Sequence, residues 1–402
     1  MSSQIAALEF ARYRGFRDQS KVDLSRLTLI YGPNNAGKSA LVRIPPLLAA
    51  SRTPGRPGLN LDTSVFRGAG FRDIKWRGAL PTEADSYLVL GAHLSDGTQW
   101  RWTFDWLDSK STSVIQTVQV VRGGTTESFE LAPLGHRALK DAEYFTAEGT
   151  RRIAMDGLLP RETVGGLVEE SREALSQALD AVTWLGTLRK GPMREGSPRG
   201  ATGSLVGDGE GAAALVLADK ALRLRVSDWF LAHTGYNVES EALGPDLERL
   251  VLRPTDRHDV PFPDAGEGLQ QVFPVVVALE QLHQSGGLLT IEEPESHLHP
   301  RLQRALADRM VSVLVEQPLA KIVLETHSEI FLLASLRAAN KALLNQVGVF
   351  WVETDVRGAS TLESIPLDLS GRPTTPRLEE AFATMGVMRR ELLADRKANE
   401  GR

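Results

Sequence analysis

Three short segments carry residues whose types and spacing suit phosphate chemistry. The first, Gly32-Pro33-Asn34-Asn35-Ala36-Gly37-Lys38-Ser39, fits the pattern G-x-x-x-x-G-K-[ST] without a mismatch, and Ala40 follows it. Gly32 and Gly37 let consecutive backbone N–H groups converge on phosphate oxygens, Lys38 reaches the β and γ phosphates, and the Ser39 hydroxyl ligates magnesium. The second, Leu288-Leu-Thr-Ile-Glu292-Glu293-Pro-Glu295, is an apolar run that ends in carboxylates. Such a run places Glu292 on magnesium through water and Glu293 where it accepts the proton of the water attacking the γ-phosphate. The third, Lys321-Ile-Val-Leu-Glu325-Thr326-His327-Ser328, ends a strand-like run in polar groups. A histidine at the C-terminal end of a strand beside a phosphate loop is placed to contact the γ-phosphate. Taken singly, each segment has a plainer reading: a glycine-rich turn that binds nothing, a solvated acidic helix start, a structural histidine. The strand before Gly32, the helix after Ser39 and the buried-type strand before Glu292 argue against the first two.

These residues meet only if their segments are neighbouring strands of an α/β fold. Residues 5–10 and 27–31 read as short strands, the second stopped by Gly32-Pro33, and residues 39–48 as the helix behind it. Residues 51–58 form a Gly/Pro-rich loop. Residues 87–121 alternate aromatic and β-branched residues with Asp96-Gly97 as a hairpin turn, which predicts an antiparallel sheet. Trp100, Trp102 and Trp106 fall at even spacing on one face of a strand, where core packing explains them more simply than base stacking. Residues 161–184 and 212–231 read as helices, separated by a glycine-, proline- and arginine-bearing stretch at 186–209, and Leu250-Val-Leu as a strand. From Gly268 onward helices (272–283, 300–315, 330–339) alternate with strands (288–291, 321–325, 347–352) in the rhythm of a doubly wound sheet, and residues 376–397 read as a charged amphipathic helix. The expected organisation is an N-terminal lobe with the phosphate loop (1–50), an antiparallel β part (51–135), a helical insertion (136–260), a C-terminal lobe (261–365) and a helical tail (366–402).

Composition narrows the field without choosing within it. The chain has 402 residues, 42% hydrophobic and 24% charged, close to the averages of globular proteins. Its longest apolar stretch, near 272–279, is far short of the ~20 residues needed to span a bilayer. The N-terminus has no basic start followed by an apolar run, and cysteine is absent, so disulfides and thiolate zinc sites are excluded and a cytoplasmic location is expected. With a net charge of −5, any nucleic-acid contact needs a local basic patch. Arg189, Lys190, Arg194 and Arg199, against Glu195 alone, are the candidate, with a solvated loop as the commoner outcome of such a cluster.

Asp264-Ala-Gly266-Glu-Gly268-Leu-Gln270-Gln271 lies just before the acidic strand, where ABC-class ATPases keep their signature motif, and Thr326-His327-Ser328 resembles their switch-histidine loop. Ile291-Glu-Glu-Pro-Glu-Ser-His-Leu-His-Pro300 and Glu325-Thr-His-Ser-Glu329 resemble more closely the soluble, AAA-named ABC-type ATPases of prokaryotes related to RecF, SMC proteins and the overcoming-lysogenization-defect nucleases. Trp184-Leu-Gly-Thr-Leu-Arg189, Val206-Gly-Asp-Gly-Glu210 and Arg12-Tyr-Arg14-Gly-Phe16 are similar to further segments of that group, so the resemblance covers roughly half the chain. It implies a P-loop ABC-type core with a mixed sheet, an antiparallel β lobe and a helical insertion. It implies ATP and Mg2+ as ligands, Arg14 beside the nucleotide, and an ATP-dependent homodimer. In that dimer Gly266 and Gly268 of one subunit face the γ-phosphate held by the other. Two departures stand out: Gln270 replaces a serine common in relatives, and Glu292 replaces the more usual aspartate. A glutamine loop is not identifiable, since Gln99 and Gln116 both fall in the antiparallel part. His297 and His299 suit either a metal pair or the dimer-contact loop that follows the acidic strand in relatives, and the resemblance favours the loop.

The expected function is an ATPase whose dimerisation around ATP switches an effector protein in trans or acts on DNA, in phage or plasmid defence or in genome maintenance. No nuclease domain in cis is expected, because only roughly seventy-five residues follow His327, fewer than a typical domain of ~100–150, and they lack an Asp-x-Asp cluster. The engine of a membrane transporter shares the motif order, but its P-loop-to-signature interval is about half of the one here. A small-molecule kinase leaves the signature and His327 unexplained, and condensin-like bridging needs long heptad arms that are missing. A low-turnover nucleotide-gated scaffold stays open.

Overall fold

The computed structural model describes residues 3–375 apart from 55, 79–86, 109–110, 135–137, 148, 162–164, 195–204, 245–246, 255–257, 341 and 369–373. The helix expected at 376–397, and Glu195 and Arg199 of the basic cluster, lie outside the described residues.

The chain begins with β1 (Ile5–Ala11), β2 (Ser20–Asp23) and β3 (Leu27–Tyr31). All five residues of β3 are buried, as befits a strand covered on both faces. The helical run after the phosphate loop is two helices, α1 (Lys38–Val42) and α2 (Ile44–Ala50), where the sequence suggested one. Pro45 and Pro46 lack the N–H groups that would bond back to Leu41 and Val42, so the helix breaks at Arg43. After the short α3 (Phe71–Ile74) come β4 (Leu88–Leu94), β5 (Gln99–Leu107), β6 (Thr112–Arg122), β7 (Thr125–Leu131), β8 (Glu143–Phe145), β9 (Arg152–Asp156) and β10 (Leu159–Pro160). These strands form a nine-stranded antiparallel sheet in the order β10-β9-β8-β7-β6-β5-β4-β1-β2. Its β4–β5 hairpin turns at Asp96-Gly97, where Asp96 accepts a hydrogen bond from the Thr98 N–H. Trp100, Trp102 and Phe104 alternate inward and are fully buried, as the even spacing predicts. A register shift at Thr103/Phe104 leaves Trp106 half-buried, stacked on Phe71 at 6.0 Å.

Next come α4 (Gly166–Asp180) and β11 (Val182–Leu185). The expected helix at 161–184 therefore ends four residues early, because Val182–Leu185 pairs in parallel with a strand of the other large sheet. Helices α5 (Ala212–Ala218) and α6 (Lys220–Thr234) replace a single one; Asp219 separates them and caps α6 by accepting from the N–H groups of Ala221 and Leu222. They are followed by a small antiparallel sheet of β12 (Tyr236–Gly244), β13 (Leu247–Pro254) and β14 (Val260–Pro261). Residues 136–260 thus supply α4, α5 and α6, while β8–β10 extend the antiparallel sheet and β11 joins the parallel one.

The remaining elements alternate as the sequence predicts: α7 (Glu267–Ser285), β15 (Gly287–Glu292), α8 (Pro300–Glu316), β16 (Ala320–Thr326), α9 (Glu329–Asn340), β17 (Val347–Thr354) and β18 (Ser360–Ile365). The second large sheet has the order β11-β15-β16-β3-β17-β18, parallel except for its last pair. All three chemistry-bearing segments leave neighbouring strands of this sheet at their C-terminal ends, the edge where open α/β sheets bind ligands. Among the described residues no helix is long and apolar enough to cross a membrane.

Candidate active site

The phosphate loop joins β3 to α1. Gly32 and Gly37 have φ of 151° and 105°, the region that favours glycine, and a Cβ on Gly32 would run into the Val352 carbonyl oxygen. Pro33, Asn34 and Asn35 are exposed, whereas Ala36 and Ala40 are buried beneath the loop. Lys38 is 3% exposed, and its Nζ donates to the carbonyls of Gly32 (2.9 Å) and Pro33 (2.6 Å). Burial lowers its pKa against the opposing pull of Glu325, Glu293 and Glu295. Over the loop opens a cleft of about 1120 Å³ lined by Arg14, Asn35, Lys38, Ser39, Trp76 and His327 among others. Arg14 lines this cleft, its guanidinium lying over the Phe66 ring at 5.6 Å.

Strand register assembles the rest. Glu292 on β15 lies opposite Glu325 on β16, and Glu325 and Thr326 lie opposite Ile30 and Tyr31 on β3. Above these strands, Ser39 and Arg43 are one helical turn apart, so they share a face of α1 and its cap. Ser39 Oγ donates to Glu325 Oε1 at 2.7 Å, and Arg43 forms a two-pronged pair with both Glu292 oxygens at 2.5 Å each. Trp184 Nε1 also donates to Glu292 Oε1 (3.1 Å), and Thr187 Oγ1 to Oε2 (3.2 Å). Glu292 is fully buried with two donors on each oxygen, which fills the acceptor capacity of a carboxylate. The partners of Glu292 come from α1 and its cap and from the 184–187 segment. Glu325 is 1% exposed, its Oε2 has no hydrogen-bond partner, and burial, then the neighbouring Glu292 charge, push its pKa up to about 8.

Beyond β15 the chain turns sharply. Glu293 has φ of 43°, uncommon for a residue other than glycine, and its N–H bonds to the Glu325 carbonyl at 3.1 Å. Its carboxylate is partly exposed, accepts from Ser296 Oγ, and lies 3.8 Å from His327 Nε2. Burial, then the Lys38 charge, lowers the His327 pKa, against the pull of Glu293. The third acid, Glu295, accepts from Thr326 Oγ1 (2.5 Å) and the His327 N–H (3.1 Å), so it braces the loop that presents the histidine.

The described members of the basic cluster, Arg189, Lys190 and Arg194, all have partners. Arg189 is 4% exposed, and its guanidinium donates to the carbonyls of Gly186, Gln271, Glu292 and Glu293. Burial lowers its pKa to about 10. It links the acidic turn to α7, and its guanidinium hydrogens point at main-chain carbonyls. Lys190 pairs with Asp208 and Glu210, and Arg194 with Asp264, so their charge is locally matched. Gly266 caps the start of α7, and Gly268 packs on the His297 carbonyl. Gln270 Nε2 is spent on the carbonyls of Pro263 and Ala265, which leaves it no free amide hydrogen for a phosphate. His299 caps α8 and His297 lies 3.7 Å from Glu267. Among the described residues no group of three or more His, Cys, Asp or Glu side chains is spaced to hold a metal.

Residues 233–334 match the family described as "AAA domain, putative AbiEii toxin, Type IV TA system". Over 146 residues the chain is 31% identical to the OLD nuclease of Thermus scotoductus, a match spanning 35% of this chain and 27% of that protein. The fold is similar to an SMC head bound to the C-terminal winged-helix domain of ScpA (12% identity, TM-score 0.50, covering 91% of this chain and 98% of that one). It is also similar to a Pyrococcus furiosus SMC head with an extended coiled coil bound to the C-terminal domain of ScpA (10% identity, TM-score 0.52, covering 96% and 100%). The mixed α/β fold is that of the SMC heads, and the family match and the similarity to the OLD nuclease support an ABC-type ATPase related to those proteins, as the motif order implies.

Proposed function

We propose that this protein binds ATP with magnesium in the Lys38 cleft, hydrolyses it, and closes as a homodimer around it. The closed state switches a separate effector protein or acts on DNA in the cytoplasm, in phage or plasmid defence or genome maintenance. The observation that carries this reading is the convergence of Lys38, Ser39, Glu293 and His327 at the ends of adjacent strands. Lys38 stabilises the charge that develops between the β and γ phosphates. Glu293, partly exposed and aimed from its strained turn, takes the proton of the attacking water, and a neutral His327 contacts the γ-phosphate from beside it.

Magnesium, when bound, would neutralise charge on the β and γ oxygens. It binds through hard oxygen donors, one or two carboxylates plus nucleotide phosphates, and Ser39 Oγ with a strand-end carboxylate fits that demand. The cleft lining contains none of residues 264–271 among those described, which supports a signature that acts on the partner's nucleotide.

The test is the mass in solution of the Glu293→Gln protein by light scattering. With ATP and magnesium it should shift to a dimer, because closure precedes a hydrolysis step it cannot complete, and turnover should fall about 10²–10⁴-fold, the range for a lost general base. A monomer at high concentration with saturating ATP would overturn the dimer.

A further inference from the structure

We infer that Glu325, rather than the motif acid Glu292, is the carboxylate that holds magnesium at Ser39 in the nucleotide-bound protein. The inference rests on the ATPase reading above and assigns one step of it. Both glutamates sit at the ends of paired parallel strands, in register, beneath the same helix face. What separates them is their partners. Glu292 is closed on all sides by Arg43, Trp184 and Thr187, with the Arg67 guanidinium a further 3.8 Å away. Glu325 touches the Ser39 hydroxyl itself: Ser39 Oγ donates its hydrogen bond to Oε1 at 2.7 Å, which leaves the lone pairs of that hydroxyl free for a cation. The second oxygen, Oε2, is enclosed and has no hydrogen-bond partner. An unpaired oxygen on a fully buried carboxyl group is costly in either protonation state, and a cation or its bound water is the kind of partner that removes the cost.

Arg43 is the reason the roles divide. The helix break at Pro45 and Pro46 leaves its side chain one turn beyond Ser39, where it neutralises Glu292 and takes it out of the metal's reach. A protein-only cage is not needed, because the nucleotide's phosphates complete the coordination.

The experiment measures ATP affinity by calorimetry on the full chain, with magnesium and with EDTA, in a Glu293→Gln background that does not turn over. Glu325→Gln should weaken Mg·ATP binding about 10–100-fold, the usual loss when a metal site loses one of its supporting groups. Metal-free ATP should bind as well as before or better, since a carboxylate that repels phosphate is gone; a merely structural glutamate would weaken both. Glu292→Gln should keep the magnesium-dependent gain. If that variant fails to fold with Arg43 unpaired, the double change Arg43→Met/Glu292→Met removes the pair together and should keep the gain too. A Glu325→Gln protein with unchanged Mg·ATP affinity, or loss of the gain in the folded double variant, overturns the inference while the ATPase reading stands. Failure of the parent to bind ATP under either condition overturns both.

Discussion

The nine-stranded antiparallel sheet and the six-stranded parallel sheet both bury continuous apolar cores, yet they differ in what else they bury. Inside the antiparallel sheet Trp100 and Trp102 stack at 5.8 Å beside Phe104, Phe129 and Tyr144. Among the described residues, the buried polar side chains of its strands and the β4–β5 turn are uncharged, Thr98 and Ser113. The parallel sheet's lobe, by contrast, encloses Lys38, Arg189, Glu292, Glu295 and Glu325 at one rim. Buried charge is unfavourable unless it is paired and hydrogen-bonded, so a fold seeking stability alone would spread or omit it. Its concentration at the strand ends marks where stability yields to chemistry, and it predicts that substitutions in the two sheets fail in different ways.

The largest effect should come from the antiparallel side. Trp102→Ala removes a fully buried ring whose Nε1 bonds to the Leu158 carbonyl, and should lower stability by about 3–5 kcal/mol by chemical denaturation. Its folded fraction should bind ATP with unchanged affinity. A matching loss of affinity would mean that the sheet is part of the site and that the division between the lobes is false.

Lys38→Ala should do the reverse. It removes a buried charge held only by loop carbonyls, so folding should survive, while phosphate release falls roughly 10²–10³-fold, as when a preorganised donor to developing charge is deleted. An unfolded Lys38→Ala protein would show that the rim's charges are structural after all.

The same contrast explains which features were legible in the sequence. Phosphate binding requires glycines, a lysine and a serine in one uninterrupted stretch, so Gly32–Ser39 announces itself, and the buried strands before Glu292 and Thr326 show as continuous apolar runs. The pairings of Ser39 with Glu325 and Arg43 with Glu292 depend on register between strands far apart in the chain and on a helix break at Pro45. Glu295 was visible as a third acid in Glu-Glu-Pro-Glu, but its bond to Thr326 was not. Arg189 misled because a basic residue in a Gly/Pro loop has the same composition whether it meets solvent or four converging carbonyls. Trp184 hid as a helical residue since a four-residue edge strand directly after a helix leaves no period of its own. Short β8–β10 escaped for the same reason.

The smallest effect should come from a charge at the antiparallel sheet's margin. Glu127 on β7 accepts from Arg151 Nη1 at 2.7 Å and from the Val168 N–H at the start of α4 at 3.1 Å. Partial burial raises its pKa, but those hydrogen bonds outweigh it and hold the carboxyl below its ordinary value. A depressed folded-state pKa adds stability that is fully present above the unfolded value and disappears as pH falls through the folded one. Glu127→Gln should therefore lower the melting temperature modestly at neutral pH, and the gap from the parent should close as the pH drops below the usual glutamate range. Such behaviour is that of an ordinary structural ion pair, unlike the rim, where Glu325 is shifted the other way. A gap that persisted in acid would mean that the glutamate acts by packing, and charge would then matter to this sheet even less than its uncharged core suggests.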